Sequence, residues 1–143
     1  MKVCPTNGIQ PSFMEAGVEA MWTPRLIPEI GYCEPSCTFC GDICPTGALQ
    51  KFTQEDKKNI FIGNAVIDRS KCIAWNRNET CLICDEFCSY NAIDWRFIEG
   101  SRKPVVNHKK CTGCGICETN CPIKPGSAIV VYSHGEQRKK YQK

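Results

Sequence analysis

Cys111-Thr112-Gly113-Cys114-Gly115-Ile116-Cys117-Glu118-Thr119-Asn120-Cys121-Pro122 reads C-x2-C-x2-C-x3-C-P, the spacing by which thiolates hold [4Fe–4S] clusters. Two-residue gaps let a short loop curl around an inorganic cubane. Three thiolates then reach three irons on one face, while nearby amide N–H groups turn toward the sulfides. Gly113 and Gly115 suit that tight path, because glycine takes positive φ at little cost. The fourth cysteine falls a helical turn further on, facing away from the first three. Pro122 fits the first turn of a short helix, where its missing N–H is not needed.

Related runs lie upstream. Cys33-x3-Cys37-x2-Cys40-x3-Cys44-Pro45 carries one extra residue in its first gap. Cys72-x8-Cys81-x2-Cys84-x3-Cys88 keeps the core spacing after an insertion that holds Trp75, Asn76, Arg77 and Asn78, and Ser89 replaces the proline. At the start of the chain, Cys4-Pro5-Thr6 repeats Cys44-Pro45-Thr46 and reads as the back end of a further run.

Thirteen cysteines in 143 residues admit three explanations. Disulfide scaffolds scatter cysteines at irregular spacing, whereas twelve of these thirteen fall into three compact groups and the total is odd. Structural zinc sites pair two C-x2-C knuckles across a long gap and often add histidine, a layout that four-cysteine runs ending in Cys-Pro do not match. Iron–sulfur clusters fit both spacing and number. They also compensate for a thin core, since only 42% of residues are hydrophobic with cysteine counted among them; small domains need such staples. The formal charge of +3 argues for no nucleic-acid partner, because each oxidised cluster with its thiolates adds about −2. Three clusters would bring the chain to about −3. The sequence shows no signal peptide and no apolar run long enough to span a bilayer.

Between the runs the pattern predicts small strands at Gly47–Phe52, Asn64–Asp68, Ala92–Ile98, Pro104–Asn107 and Ala128–Tyr132, with a charged turn over Thr53–Asn59. Ser12 with Glu15 forms a capping-box signature, and Met14, Val18, Met21 and Trp22 recur at helical spacing, which predicts a helix ending near Trp22 before Pro24. Thr23 to Gly31 reads as an extended connector. The tail from His134 to Lys143 reads as a solvated end. No nucleophile–base pair is present: His108 and His134 are isolated, and Asp85, Glu86 and Glu118 read as a solvated face. Trp22, Trp75, Trp95 and Phe39 read as shields that keep water from the clusters.

The three runs, Cys4-Pro5-Thr6-Asn7, Trp22-Thr23-Pro24, Gly31-Tyr32-Cys33, Cys37-Thr38-Phe39-Cys40-Gly41, Cys44-Pro45-Thr46-Gly47-Ala48, Ile62-Gly63 and the long gap after Cys72 resemble the ferredoxin-type accessory proteins of periplasmic nitrate reductase and methylamine utilisation. The resemblance implies an α+β fold of tandem ferredoxin-like two-cluster modules, with small strands and short helices around [4Fe–4S] clusters. It implies a first module over 1–60, lacking the front of its first run, and a complete two-cluster module over 61–143. It further implies an electron carrier, not an enzyme, relaying electrons from a membrane-bound quinol-oxidising iron–sulfur partner to a terminal reductase. Relatives carry four clusters and an export signal to the periplasm. Neither the signal nor the first three cysteines of the opening run stands in this sequence, so a truncated start and three clusters are expected. The structural zinc module is the alternative function.

In two-cluster ferredoxins the fourth cysteine of each run serves the other cluster. On that precedent cluster one takes Cys4, Cys33, Cys37 and Cys40; cluster two takes Cys72, Cys81, Cys84 and Cys121; cluster three takes Cys88, Cys111, Cys114 and Cys117. Iron is bound through these cysteines, and Cys44 is left unpaired. Local binding, in which each run keeps its own cluster and Cys4 is spare, is the competing assignment.

Overall fold

The computed structural model describes residues 2–13 and 17–133. Six short strands make three antiparallel pairs: β1 (Ile9–Pro11) with β2 (Pro24–Leu26), β3 (Gly63–Ile67) with β6 (Ile129–Ser133), and β4 (Ile93–Ile98) with β5 (Ser101–Val106). Five helices of four or five residues lie between them: α1 (Phe39–Ile43), α2 (Gln54–Lys57), α3 (Ile73–Asn76), α4 (Ile83–Glu86) and α5 (Ile116–Thr119). This is the α+β arrangement of small strands and short helices that the sequence suggests.

Strand pairing explains how the cysteine runs meet. In the β4–β5 hairpin Ile93 lies opposite Val106, and Asn107 N–H donates to the Ala92 carbonyl at 2.7 Å. The end of the run at Cys88 therefore sits beside the start of the next at Cys111. In the β3–β6 pair Ile67 lies opposite Ile129, and Asp68 N–H donates to the Ala128 carbonyl at 2.7 Å. That closes Cys121 onto Cys72. The β1–β2 hairpin repeats the device, with Ile27 N–H donating to the Gly8 carbonyl at 2.8 Å between Cys4 and Cys33.

The core is small and sulfur-rich. Ala65, Ile93, Ala128, Ile129 and Val131 pack with Cys117 and Cys121, and Cys72, Cys84, Cys88 and Cys111 close its edge. The first unit is tied to it by Cys33 N–H donating to the Cys114 carbonyl (2.7 Å) and by Thr119 Oγ1 donating to the Pro28 carbonyl (2.6 Å).

Two expected elements differ. Met14 and Glu15 lie outside the described residues, but the described ends of the expected helix form the hairpin's loop instead. Ser12 N–H donates to the Thr23 carbonyl and Trp22 N–H to the Ser12 carbonyl (2.9 and 2.8 Å), so these backbone groups pair across the hairpin. Val18–Ala20 forms a 3₁₀ turn, and the proposed capping partner Glu15 lies outside the described residues. Gly47–Phe52 forms no strand, because no chain among the described residues supplies a ladder partner. The segment just after it is ordered by the reciprocal cap of Thr53 and Asp56, which starts α2 where a charged turn was expected. The tail from His134 lies outside the described residues.

Candidate metal centre

The thiols gather in three places. Cys72, Cys81, Cys84 and Cys121 line one cavity together with Ile67, Ile129 and Pro104. Counted with its open mouth, this cavity encloses about 390 Å³, room for a cubane core. Cys114 has the thiols of Cys88, Cys111 and Cys33 as neighbours, and Cys117 has those of Cys114, Cys111, Cys84 and Cys88. Cys33 faces Cys40 and Cys37. Cys84 lies near Cys117, and Cys114 lies near Cys33.

Cys4 stands at a turn docked against the Cys33 segment, and no cysteine is among its strongest interactions. Its neighbour Thr6 donates through Oγ1 to the Tyr32 carbonyl at 2.5 Å. A Cβ on Gly31 would lie 2.0 Å from the Thr6 carbonyl oxygen, and one on Gly8 would lie 2.2 Å from that of Gly31. Only two glycines facing each other allow backbones this close, which gives Gly31 in Gly31-Tyr32-Cys33 a physical role.

The fourth cysteines share one local fold. Leu49, Ala92 and Ala128 donate their N–H groups to the sulfurs of Cys44, Cys88 and Cys121 at 3.3, 3.3 and 3.4 Å. Three residues after Cys4, Cys44 and Cys88, positive φ occurs at Asn7 (56°), Gly47 (69°) and Asn91 (47°). Asparagine and glycine tolerate that region best. The repeat thus lies in the turn after Cys4, Cys44 and Cys88 as well as in cysteine spacing, with Asn or Gly at that offset as its sequence signal, and the turn after Cys121 differs.

Burial pushes Cys84 up to about 12 and Cys114 up to about 11, with neighbouring thiols adding to the effect, and drives Cys117 upward too. At neutral pH these groups are uncharged thiols, and loading them with metal releases protons. Such sites accept a cofactor that brings its own positive charge. Among the described residues no three His, Cys, Asp or Glu side chains converge on a single ion. Zinc at about 2.3 Å from each sulfur would hold its ligands nearly in contact, whereas a cubane sets them apart. The donor set fits the larger group.

Cys44 behaves differently. It lies near the surface, and the Leu49 N–H and Thr46 hydroxyl lower its thiol to about 7. Since the thiolate is the nucleophile, alkylation of Cys44 is expected to rise to half its maximum near pH 7. Peptide mapping after iodoacetamide treatment at a series of pH values measures this; a midpoint near 9 would mean the hydrogen bonds do not form.

The surrounding residues correct several readings. Glu118 is fully buried, not solvated; its Oε2 accepts from Val131 N–H at 2.6 Å, fixing α5 to β6. Asp85 is half-buried and accepts from Trp95 Nε1 at 2.8 Å, while Glu86 and His108 are exposed. Trp75 donates to the Pro104 carbonyl and is covered by Arg69 at 4.2 Å. Trp22 and Phe39 are 63% and 54% exposed, so neither is enclosed as a shield would be. Tyr90 went unnoticed in the sequence, and its phenol is raised by burial and by Cys114, Cys33 and Cys88, which places it between two thiol sets.

Paired hairpins that bring two cysteine runs together define a 4Fe–4S dicluster arrangement, and the family profile described as "4Fe-4S dicluster domain" matches residues 79–124. The chain is 29% identical to the methylamine utilization ferredoxin-type protein MauM of Methylorubrum extorquens, over 86% of this chain and 58% of that protein. It is 34% identical to MauM of Methylophilus methylotrophus, over 66% of this chain and 46% of that protein. It is 28% identical to the ferredoxin-type protein NapF of Escherichia coli K12, over 75% of this chain and 64% of that protein. These comparisons make the chain similar to ferredoxin-type 4Fe–4S proteins. The chain spans about half to two thirds of the length of these curated relatives. No solved structure matches it.

Proposed function

We propose that this chain is an electron carrier with three [4Fe–4S] clusters, held in the crossed sets Cys4, Cys33, Cys37 and Cys40; Cys72, Cys81, Cys84 and Cys121; and Cys88, Cys111, Cys114 and Cys117. The observation that carries this reading is the cavity walled by Cys72, Cys81 and Cys84 of one run and Cys121 of the other. A bound cluster supplies reversible one-electron chemistry. The chain's own residues set the conditions for it. The cysteine side chains fix the sites as neighbours, Ile67 and Ile129 limit water at one of them, and the N–H donors to Cys88 and Cys121 stabilise charge on sulfur. Residues 1–60 then form the first unit and 61–143 the two-cluster unit.

The relatives named for methylamine utilization support redox partners for the chain, here a membrane-bound quinol-oxidising iron–sulfur protein as donor and a terminal reductase as acceptor, on the periplasmic side. No helix among the described residues is long and apolar enough to cross a membrane.

Anaerobic purification with iron and sulfide analysis tests the count, which is roughly twelve irons per chain for three cubanes. A colourless, zinc-loaded protein would refute the reading. Cys4→Ala is expected to remove about four of those irons and Cys44→Ala none. The reverse result would establish local binding by each run.

A further inference from the structure

The second cysteine run has a longer first gap, and α2 grips that extra loop. Gln54 Nε2 donates to the Ser36 carbonyl at 2.7 Å, while Lys57 Nζ donates to the carbonyls of Glu34 and Cys37. Lys57 is 5% exposed, and its ammonium also reaches Cys33. Burying an ammonium is costly unless its charge is compensated. The two carbonyls are neutral, and the Cys33 sulfur that Lys57 faces can carry a compensating negative charge as the thiolate it becomes on ligating a cluster. Among the described residues, no cation is among the strongest charge interactions of Cys72, Cys84, Cys114 or Cys117. Asp85 adds negative charge beside Cys84, and the strongest charge interactions of Cys117 are with other cysteines. Lys103 is paired with Glu99 at 3.1 Å, and Lys124 bonds the Glu118 carbonyl and Ser127 Oγ.

We propose that Lys57 sets the direction of electron flow: its buried ammonium beside Cys33 makes the Cys33–Cys37–Cys40 site the highest-potential of the three. The proposal rests on the three-cluster reading above. A fixed positive charge favours the reduced, more negative state of the nearest redox group. The Cys72 set neighbours the Cys111 set through Cys84 and Cys117, and the Cys111 set neighbours the Cys33 set through Cys114. A single electron supplied to the chain by a one-electron reductant therefore comes to rest at the Cys33 end. Lys57 is a positioning residue in this account, acting on the site through its charge and its grip on the loop.

The experiment is a dithionite titration of the anaerobic holoprotein, followed by electron paramagnetic resonance, with Lys57→Met and Lys57→Arg. In Lys57→Met the highest-potential step is expected to fall by at least a tenfold change in its reduction equilibrium, about 59 mV for one electron. The other two steps should stay in place, and Lys57→Arg should restore the first. An unmoved highest step at wild-type iron content overturns the proposal. If Lys57→Met loses iron, electron–nuclear double resonance on wild type labelled with side-chain ¹⁵N-lysine decides. A ¹⁵N coupling at the first cluster reduced supports the proposal, and its absence overturns it. Failure of the three-cluster reading itself would look different, as wild-type protein without the iron or the signals.

Discussion

Replacing Cys121 by serine should empty the Cys72 site while leaving the Cys111 site loaded, although Cys121 belongs to the run that begins at Cys111. About four irons per chain should be lost, and the same number from Cys88→Ser, at the opposite site. The reason is the antiparallel pairing of β3 with β6 and of β4 with β5, which carries the end of each run to the start of the other. Cys121 lines the cavity of Cys72, Cys81 and Cys84, and Cys88 neighbours Cys114 and Cys117. The two variants are best told apart by labelling the freed thiols. Cys121→Ser should expose Cys72, Cys81 and Cys84 to alkylation, and Cys88→Ser should expose Cys111, Cys114 and Cys117. Exposure of Cys111, Cys114 and Cys117 in the Cys121 variant would reverse the assignment. Loss of a cluster should also lower stability sharply, because Cys117 and Cys121 are part of the core itself and an emptied site leaves a void where packing was.

Gly113→Ala should be nearly as damaging, without touching a ligand. Gly113 sits at φ 76°, and a Cβ there would lie 2.3 Å from both the backbone nitrogen and oxygen of Gly63. Backbone cannot swing aside as a side chain can. The loop of the last cysteine run would have to lift off β3, with a loss of roughly 4 kcal/mol or more. Gly47 supplies the control. Its φ of 69° is similar, but nothing lies within 4 Å of its Cβ position, so Gly47→Ala should cost only the conformational strain of about 1–2 kcal/mol. Thermal unfolding of the two loaded variants beside wild type measures the gap. Equal losses would mean that the contact with Gly63 is not formed.

The cysteine spacing alone specified the chemistry of this chain, because a cubane dictates ligand type and interval within a few residues of sequence. The strands flanking the runs at 64–68, 92–98 and 128–132 were legible for a similar reason: short apolar stretches bounded by turns have few other uses. The backbone pairing of Ser12 with Thr23 and Trp22 was not, since it comes from strands meeting across a hairpin and not from the local helical pattern. The burial of Glu118 was equally hidden, because it depends on β6 returning from beyond the run to donate Val131 N–H. Lys57 looked like one charged residue in a charged turn.

What sequence determined, then, was which residues can hold iron and sulfide, a matter of local geometry. Only tertiary structure decided which runs face each other and that a lysine ammonium lies against the Cys33 segment. Those outcomes depend on contacts between segments tens of residues apart, where strand pairing and burial act and residue spacing carries no signal.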